Sequence, residues 1–242
     1  TGRIMLLAEK LVFTKDGDRT SAPALVLVDL HGTVHWIWDS TQDSPSFTAK
    51  HMPPLQETSG PTYQKMIAEY VAARSSFPTS REDWEQRFGT NGTEIFHPNS
   101  VYWDISRQTV YLHFVKIGLF IGVSTSTKEV VRELDCRANV RHLTSSDPFV
   151  HRAHKITNVC VHGTHSWLVT QSQRFALYSN SDRCAYHFTL DWRLQQLTVH
   201  SETCLTCAGD IKPSPEGSAQ FIAPFGTFVL TDPKLQCLQE LF

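Results

Sequence analysis

Apolar side chains recur at every second position through much of this chain, and that period predicts mostly strands. Ile4 to Phe13 is the first such run. A polar turn at Thr14 to Ser21 leads to Ala24–Leu30, where Val26, Val28 and Leu30 alternate with polar neighbours, and then to Thr33–Trp38. His31-Gly32 joins the last two as a hairpin turn. Residues 39 to 61 are rich in Ser, Thr, Pro and Gln and read as a long irregular connection. The period then changes. Tyr63, Met66, Ile67, Tyr70 and Val71 fall at i, i+3, i+4, i+7 and i+8, which predicts a helix behind Gly60-Pro61 that Phe77-Pro78 stops. Ser80 with Asp83 three residues on opens a second helix, with Trp84 and Phe88 on one face.

From Ser100 the strand period returns. Val101–Ile105, Thr109–Val115, Leu119–Ser124, Glu129–Leu134, Val140–Thr144, Ile156–Val161 and Ser166–Thr170 are expected strands. Residues 173 to 242 read as six short strands and then a helix. Phe175/Leu177, Cys184/Tyr186/Phe188 and Leu194/Leu197/Val199 mark the first three strands; 203–207, 219–223 and 228–231 follow. Asp232 suits a helix cap and Pro233 the first helical position, and Leu235, Leu238 and Phe242 then share a helical face. The expected fold class is α+β, mainly β: two modules of antiparallel strands with packing helices, over residues 1–170 and 171–242.

Composition narrows the partners. A formal charge of −2, with 22 Lys and Arg against 24 Asp and Glu, does not suit a phosphate backbone. No run approaches the roughly 20 apolar residues that span a bilayer. The start at Thr1-Gly2 suggests a piece of a longer protein. Six cysteines lack the density of a disulfide scaffold, and several fall inside expected strands, where a free thiol packs as a small hydrophobe. That favours a reducing compartment; the Asn91-Gly92-Thr93 sequon points the other way.

Chemistry-bearing patterns are sparse. Cys204-x-x-Cys207, with His200 upstream, supplies two thiols where a structural zinc needs four ligands, and on a strand the two would face opposite ways. His151-x-x-His154 and His162-Gly-Thr-His165 read as loop histidines without the helical spacing of a zinc hydrolase. No nucleophile elbow, phosphate loop, dinucleotide fingerprint or kinase signature occurs. The expectation is a non-catalytic chain with no cofactor and no metal. Six tryptophans are the better lead, since Trp and Arg dominate binding hot spots. Trp36 and Trp38 share one side of their strand. Asp191-Trp192-Arg193 forms a turn with an exposed aromatic–basic pair. These five residues are the expected partner contacts.

Arg174 to Leu197, Arg-Phe-Ala-Leu-Tyr-Ser-Asn-Ser-Asp-Arg-Cys-Ala-Tyr-His-Phe-Thr-Leu-Asp-Trp-Arg-Leu-Gln-Gln-Leu, resembles the second polo box of polo-like kinases: an apolar strand, a Ser-Asn turn, a strand ending in aromatics, then an acidic–basic turn. The six-strand-then-helix order of the last 70 residues extends the likeness. Ala24–Trp38 is similar to the opening of a first polo box, and the nearest pattern is that of the divergent boxes of kinetoplastid kinetochore kinases. The resemblance implies a non-catalytic module of a larger kinase-like protein that recruits another protein or peptide at the kinetochore or centromere, hence a nuclear address, as a homo- or hetero-oligomer or alone. Phosphate-reading boxes carry a His and a Lys in the turn after the second strand. Arg193 stands at the basic position here and Trp192 at that of the histidine, so the implied binding is of protein more than of phosphate. The alternative is a β-propeller fragment of the WD-repeat type, with blade-like segments at Val101–Asp104, Glu129–Leu134 and Val161–Thr170. The helical period at 60–89 and the expected terminal helix weigh against it. A metal-dependent hydrolase is the third reading, disfavoured for want of a converging ligand set.

Overall fold

The computed structural model describes residues 2–57, 61, 65, 95–135, 168–169, 174–179, 184–193, 196–204, 218–222, 227–232 and 237–241. Apart from Lys65, which is helical, the expected helices over 63–89 lie outside them, as do the expected strands Val140–Thr144 and Ile156–Val161, Cys207 and both histidine pairs.

The first sheet is β1 (Arg3–Phe13), β2 (Arg19–Asp29) and β3 (Val34–Asp39), paired antiparallel in that order. Alternation decides its faces. Leu25 and Trp38 are wholly buried, while Ile4, Leu6 and Ile37 on the opposite face remain largely exposed; towards the β1–β2 turn Val12 and Ala22 are wholly buried as well. Both turns follow from local chemistry. Thr14 donates its amide to Asp18 around Gly17 (φ 91°), and the Asp29 carboxylate accepts the amides of His31 (2.8 Å) and Thr33 (2.9 Å) around Gly32 (φ 82°). The first turn is tighter than the sequence suggests, because Thr20 and Ala22 already alternate into the core as part of β2.

Residues 39 to 61 are not an irregular connection throughout. Asp39 accepts the Thr41 amide at 2.9 Å and opens α1 (Ser40–Asp43); Pro45 opens α2 (Pro45–His51). Neither element is long enough to display a helical period, so their apolar residues look scattered in the sequence. Tertiary packing holds them, since helices this short are marginal in isolation. Phe47 and Met52 enter the core, where Phe47 stacks on Phe96 (5.7 Å between centroids) and Phe114 (6.2 Å). Each such ring contributes about 1.5–3 kcal/mol on burial.

The second sheet runs β4 (Pro98–Asp104), β5 (Thr109–Phe114), β6 (Leu119–Ser124) and β7 (Val130–Asp135), close to the expected ranges. Every residue of β5 is buried. Val110, Leu112 and Phe114 face the first core, together with Ile121 and Val123 of β6. Tyr111 and His113 alternate to the opposite side, where His113 stacks on Phe120 at 4.4 Å.

Two more antiparallel sheets follow. One is β8 (Leu168–Val169), β9 (Arg174–Ser179), β10 (Cys184–Asp191) and β11 (Gln196–Cys204); the other is β12 (Ser218–Ile222), β13 (Thr227–Asp232) and β14 (Cys237–Leu241). Leu168 pairs with Ala176, so β8 belongs with the strands that follow it. The two strands expected at 193–199 and 203–207 are largely one: β11 runs on to Cys204, and a bulge at His187/Phe188 absorbs the change of register. The expected terminal helix is a strand. Asp232 pairs with Cys237, and β14 (Cys237–Leu241) lies antiparallel to β13. A proline after an aspartate suits a hairpin loop as well as a helix start, and pairing with β13 satisfies a backbone that a one- or two-turn helix would leave half open.

Each sheet is a simple meander, and successive sheets meet through their opening strands: β1 lies beside β4, β4 beside β8, and β8 beside β12. The chain is thus mainly β, antiparallel throughout the described residues, with little helix among them. Among the described residues no helix is long and apolar enough to cross a membrane. Cys184 is buried and disulfide-bonded, against the free thiol expected of a strand cysteine.

Candidate functional site

The Asp191–Arg193 turn joins β10 to β11, and its backbone follows from one side chain. The Asp191 carboxylate accepts the Arg193 amide at 2.9 Å, an Asx-type turn. Asp191 and Arg193 are exposed; Trp192 is half-buried. Its ring lies on Tyr111 of β5, centroids 6.0 Å apart and planes 19° off parallel. An offset stack of this kind contributes about 0.5–1.5 kcal/mol beyond its area. Trp192 therefore fixes the third sheet against the second while its outer edge stays open to solvent.

Tyr111 is the floor of this site. Burial, the largest cause, raises the pKa of its phenol, and Asp104 and Tyr102 add to the rise while Arg107 and Arg132 oppose it. The hydroxyl stays protonated at neutral pH, as does that of Tyr102, which burial also raises. Asp104 shapes the neighbouring β4–β5 turn, accepting from Ser106 Oγ (2.6 Å) and from the Arg107 amide (3.1 Å) and side chain (3.2 Å). The surroundings of Trp192 and Tyr111 are thus aromatic and mixed in charge.

Trp36 and Trp38 do share a side, as their spacing predicts, but that side faces inward. Trp38 is wholly buried, and its indole donates to Ser44 Oγ (3.1 Å), which donates in turn to the Lys128 carbonyl (3.0 Å). Trp36 is half-buried and donates to the Thr125 carbonyl at 3.0 Å. Both carbonyls lie in the connection between β6 and β7. The two tryptophans clamp the first sheet to the second, and Trp38 has no surface left for a partner. Of the five expected contact residues, Asp191, Trp192 and Arg193 stand together on the surface, and Trp36 and Trp38 do not join them.

Two clefts border α2. One, of about 490 Å³, is walled largely by Pro45, Ala49, Met52, Pro53, Pro54 and Leu55. The other, of about 410 Å³, lies between α2 and β7. There Glu133 takes both Lys50 and His51 (3.1 Å to His51), and the His51 ring rests on Phe47 at 4.9 Å. On β3, burial alone would raise the pKa of Asp39, but the Lys10 ammonium at 2.6 Å and the Thr41 hydrogen bonds outweigh it and hold the carboxyl below its usual range. These are salt-bridged structural carboxylates. Among the described residues no three His, Cys, Asp or Glu side chains stand close enough to hold a metal ion.

No family profile matches the chain, and no curated protein is recognisably related to it by sequence. Among solved structures, a protein of unknown function from Bacteroides caccae is similar at a TM-score of 0.39 and 8% identity, over 96% of this chain and 55% of that one. The periplasmic gluconolactonase of Pseudomonas aeruginosa is similar at 0.34 and 12%, over 96% and 53%. The Cps50 (Swd1) β-propeller domain of Myceliophteria thermophila follows at 0.31 and 11%, over 96% and 72%. The chain spans about half the length of the first two. At these TM-scores the likenesses carry no argument about fold or chemistry.

Proposed function

We propose that this chain is a β-propeller-like, non-catalytic scaffold that binds another protein through the Asp191–Arg193 turn. The observation that carries this reading is the sheet order: consecutive antiparallel meanders whose opening strands lie side by side from one sheet to the next. Blades of about four strands set around a common axis produce that adjacency. The strand at Cys237–Leu241 supports the reading too, because the terminal helix expected there was one of the two arguments against a propeller, beside the helical period at 60–89. The turn is proposed as the contact because it pairs an exposed arginine with a tryptophan whose position is already fixed, so little side-chain entropy is lost on binding.

A polo-box-like recruitment module is the second reading. The antiparallel pairing of β9 with β10 supports it, since the Ser179-Asn180 of that pattern lies between the two strands in the sequence. The test uses the protein as bait, wild type beside variants of the turn, to capture a partner from its own cells. Capture of a partner by the wild type, and weaker capture by Arg193→Ala at unchanged melting temperature, are the expected results. Equal capture by Arg193→Ala would remove the turn from the site. Trp192→Ala is expected to weaken capture and also to lower stability by about 1–2 kcal/mol, because it uncovers Tyr111. Strict dependence on a phosphorylated partner would favour the second reading.

A further inference from the structure

We propose that the disulfide partner of Cys184 is Cys204, and that this cross-strand bond places the mature chain in an oxidising compartment. Cys184 is the first residue of β10, buried and disulfide-bonded. The register sets Cys204, the last residue of β11, directly opposite it. Opposed residues of antiparallel strands have Cα atoms about 4.5–5.5 Å apart, inside the range of about 4.4–6.8 Å that a disulfide requires. On its other side β10 presents Cys184 to Ser179 of β9, which has no thiol to offer. Cys237 begins a strand of a different sheet.

The placement has a mechanical sense. The bond closes the open end of the β10–β11 hairpin, and the Asp191–Arg193 turn is at the other end. Between them lies the bulge at His187/Phe188, where the two registers meet and where the pairing could slip by a residue. A covalent tie at the open end fixes the register beyond the bulge. It thereby fixes where Trp192 meets Tyr111.

Formation needs an oxidant, and a small-molecule disulfide such as oxidised glutathione suffices. One cysteine thiolate attacks it, forming a mixed disulfide and releasing one thiolate. The other cysteine then attacks the mixed disulfide at the protein sulfur, forming the Cys184–Cys204 bond and releasing the second thiolate. Two protein thiols are oxidised and one disulfide is reduced to two thiols. A bond of this kind persists where the thiol pool is oxidising, in place of the reducing compartment that the strand positions of the cysteines suggest.

The deciding experiment takes the protein from its own cells with thiols alkylated at lysis, digests it without reductant and maps the peptides by mass spectrometry. The expected result is one linked pair holding Cys184 and Cys204 that separates on reduction. Reduction is further expected to lower the melting temperature of the purified chain by about 6–12 °C, for a closed loop of about 20 residues. The Cys184→Ser/Cys204→Ser variant would show the same fall and no response to reductant. Recovery of Cys184 and Cys204 as alkylated free thiols, or of Cys184 joined to any other cysteine, would overturn the proposal. The wild-type map decides the matter even if the double variant does not fold.

Discussion

The Trp38–Ser44–Lys128 relay gives a sharp prediction, because its members come from three elements and its geometry fixes how their losses combine. Trp38→Phe removes the indole N–H that Ser44 Oγ accepts and leaves a gap in a site with no solvent access. About 1 kcal/mol is expected for the hydrogen bond and about 1–2 for the gap. Ser44→Ala keeps the indole but leaves its buried N–H without an acceptor, and it removes the hydroxyl donor to the Lys128 carbonyl. That costs about 2 kcal/mol. Were the losses independent, the double variant would be about 4–5 kcal/mol less stable than the parent. They are not, because once the indole N–H is gone the serine has no donor to strand. The double variant should therefore fall short of the sum by about 1 kcal/mol. Urea unfolding followed by far-UV circular dichroism reads all four proteins without relying on tryptophan emission. Additivity within about 0.3 kcal/mol would show that the relay is not a coupled unit, and the clamp between the sheets would have to rest on packing alone.

Two further outcomes are expected. Asp29 has its pKa lowered from 3.8 to about 2, chiefly by the hydrogen bond to His35 (2.9 Å) and then by the turn amides. A depressed carboxylate contributes stability that is present above its unfolded value and lost as pH falls through the folded one, so the window is about pH 4 down to about 2. Asp29→Ala should flatten the acid limb of a melting-temperature profile in that window, and an unaltered slope would refute the assignment. Gly122 sits opposite Tyr111 and Arg132 in the second sheet, and a Cβ there would meet Arg132 Cβ at 3.0 Å and Thr109 Cγ2 at 3.1 Å. Gly122→Ala should cost about 1–3 kcal/mol in chemical denaturation, and an unchanged or higher midpoint would show that β7 gives way freely.

The strands were largely legible because alternation is a local signal. Val110/Leu112/Phe114 and Val26/Val28 display it directly in the sequence. What failed was local ambiguity. Lys234 to Phe242 fits a helical face through Leu235, Leu238 and Phe242 and a hairpin arm equally well, and only the availability of β13 as a pairing edge decides between them. The Ser44-Pro45 pair opens α2 in a segment too short to show a helical period, so residues 39 to 61 read as irregular. For the candidate site, spacing placed Trp36 and Trp38 on one side correctly. Which side is inward depends on Ser44, Thr125 and Lys128, far along the chain. The Asp191 turn was visible from composition, whereas the seat of Trp192 on Tyr111 is a long-range contact that no local pattern carries.

Strand β5 has a consequence for how this chain folds and how it can be cut. It is buried on both faces, with Val110, Leu112 and Phe114 committed to the first core and Tyr111 held under Trp192 from the third sheet. Its packing is complete only when the sheets on either side are in place. Loss of one neighbour is therefore felt by the other, and melting should be shared between the sheets instead of proceeding sheet by sheet. A fragment ending near residue 170 would bring Tyr111 into water, and its reduced cooperativity would appear as a broadened transition even with every strand of the first two sheets present.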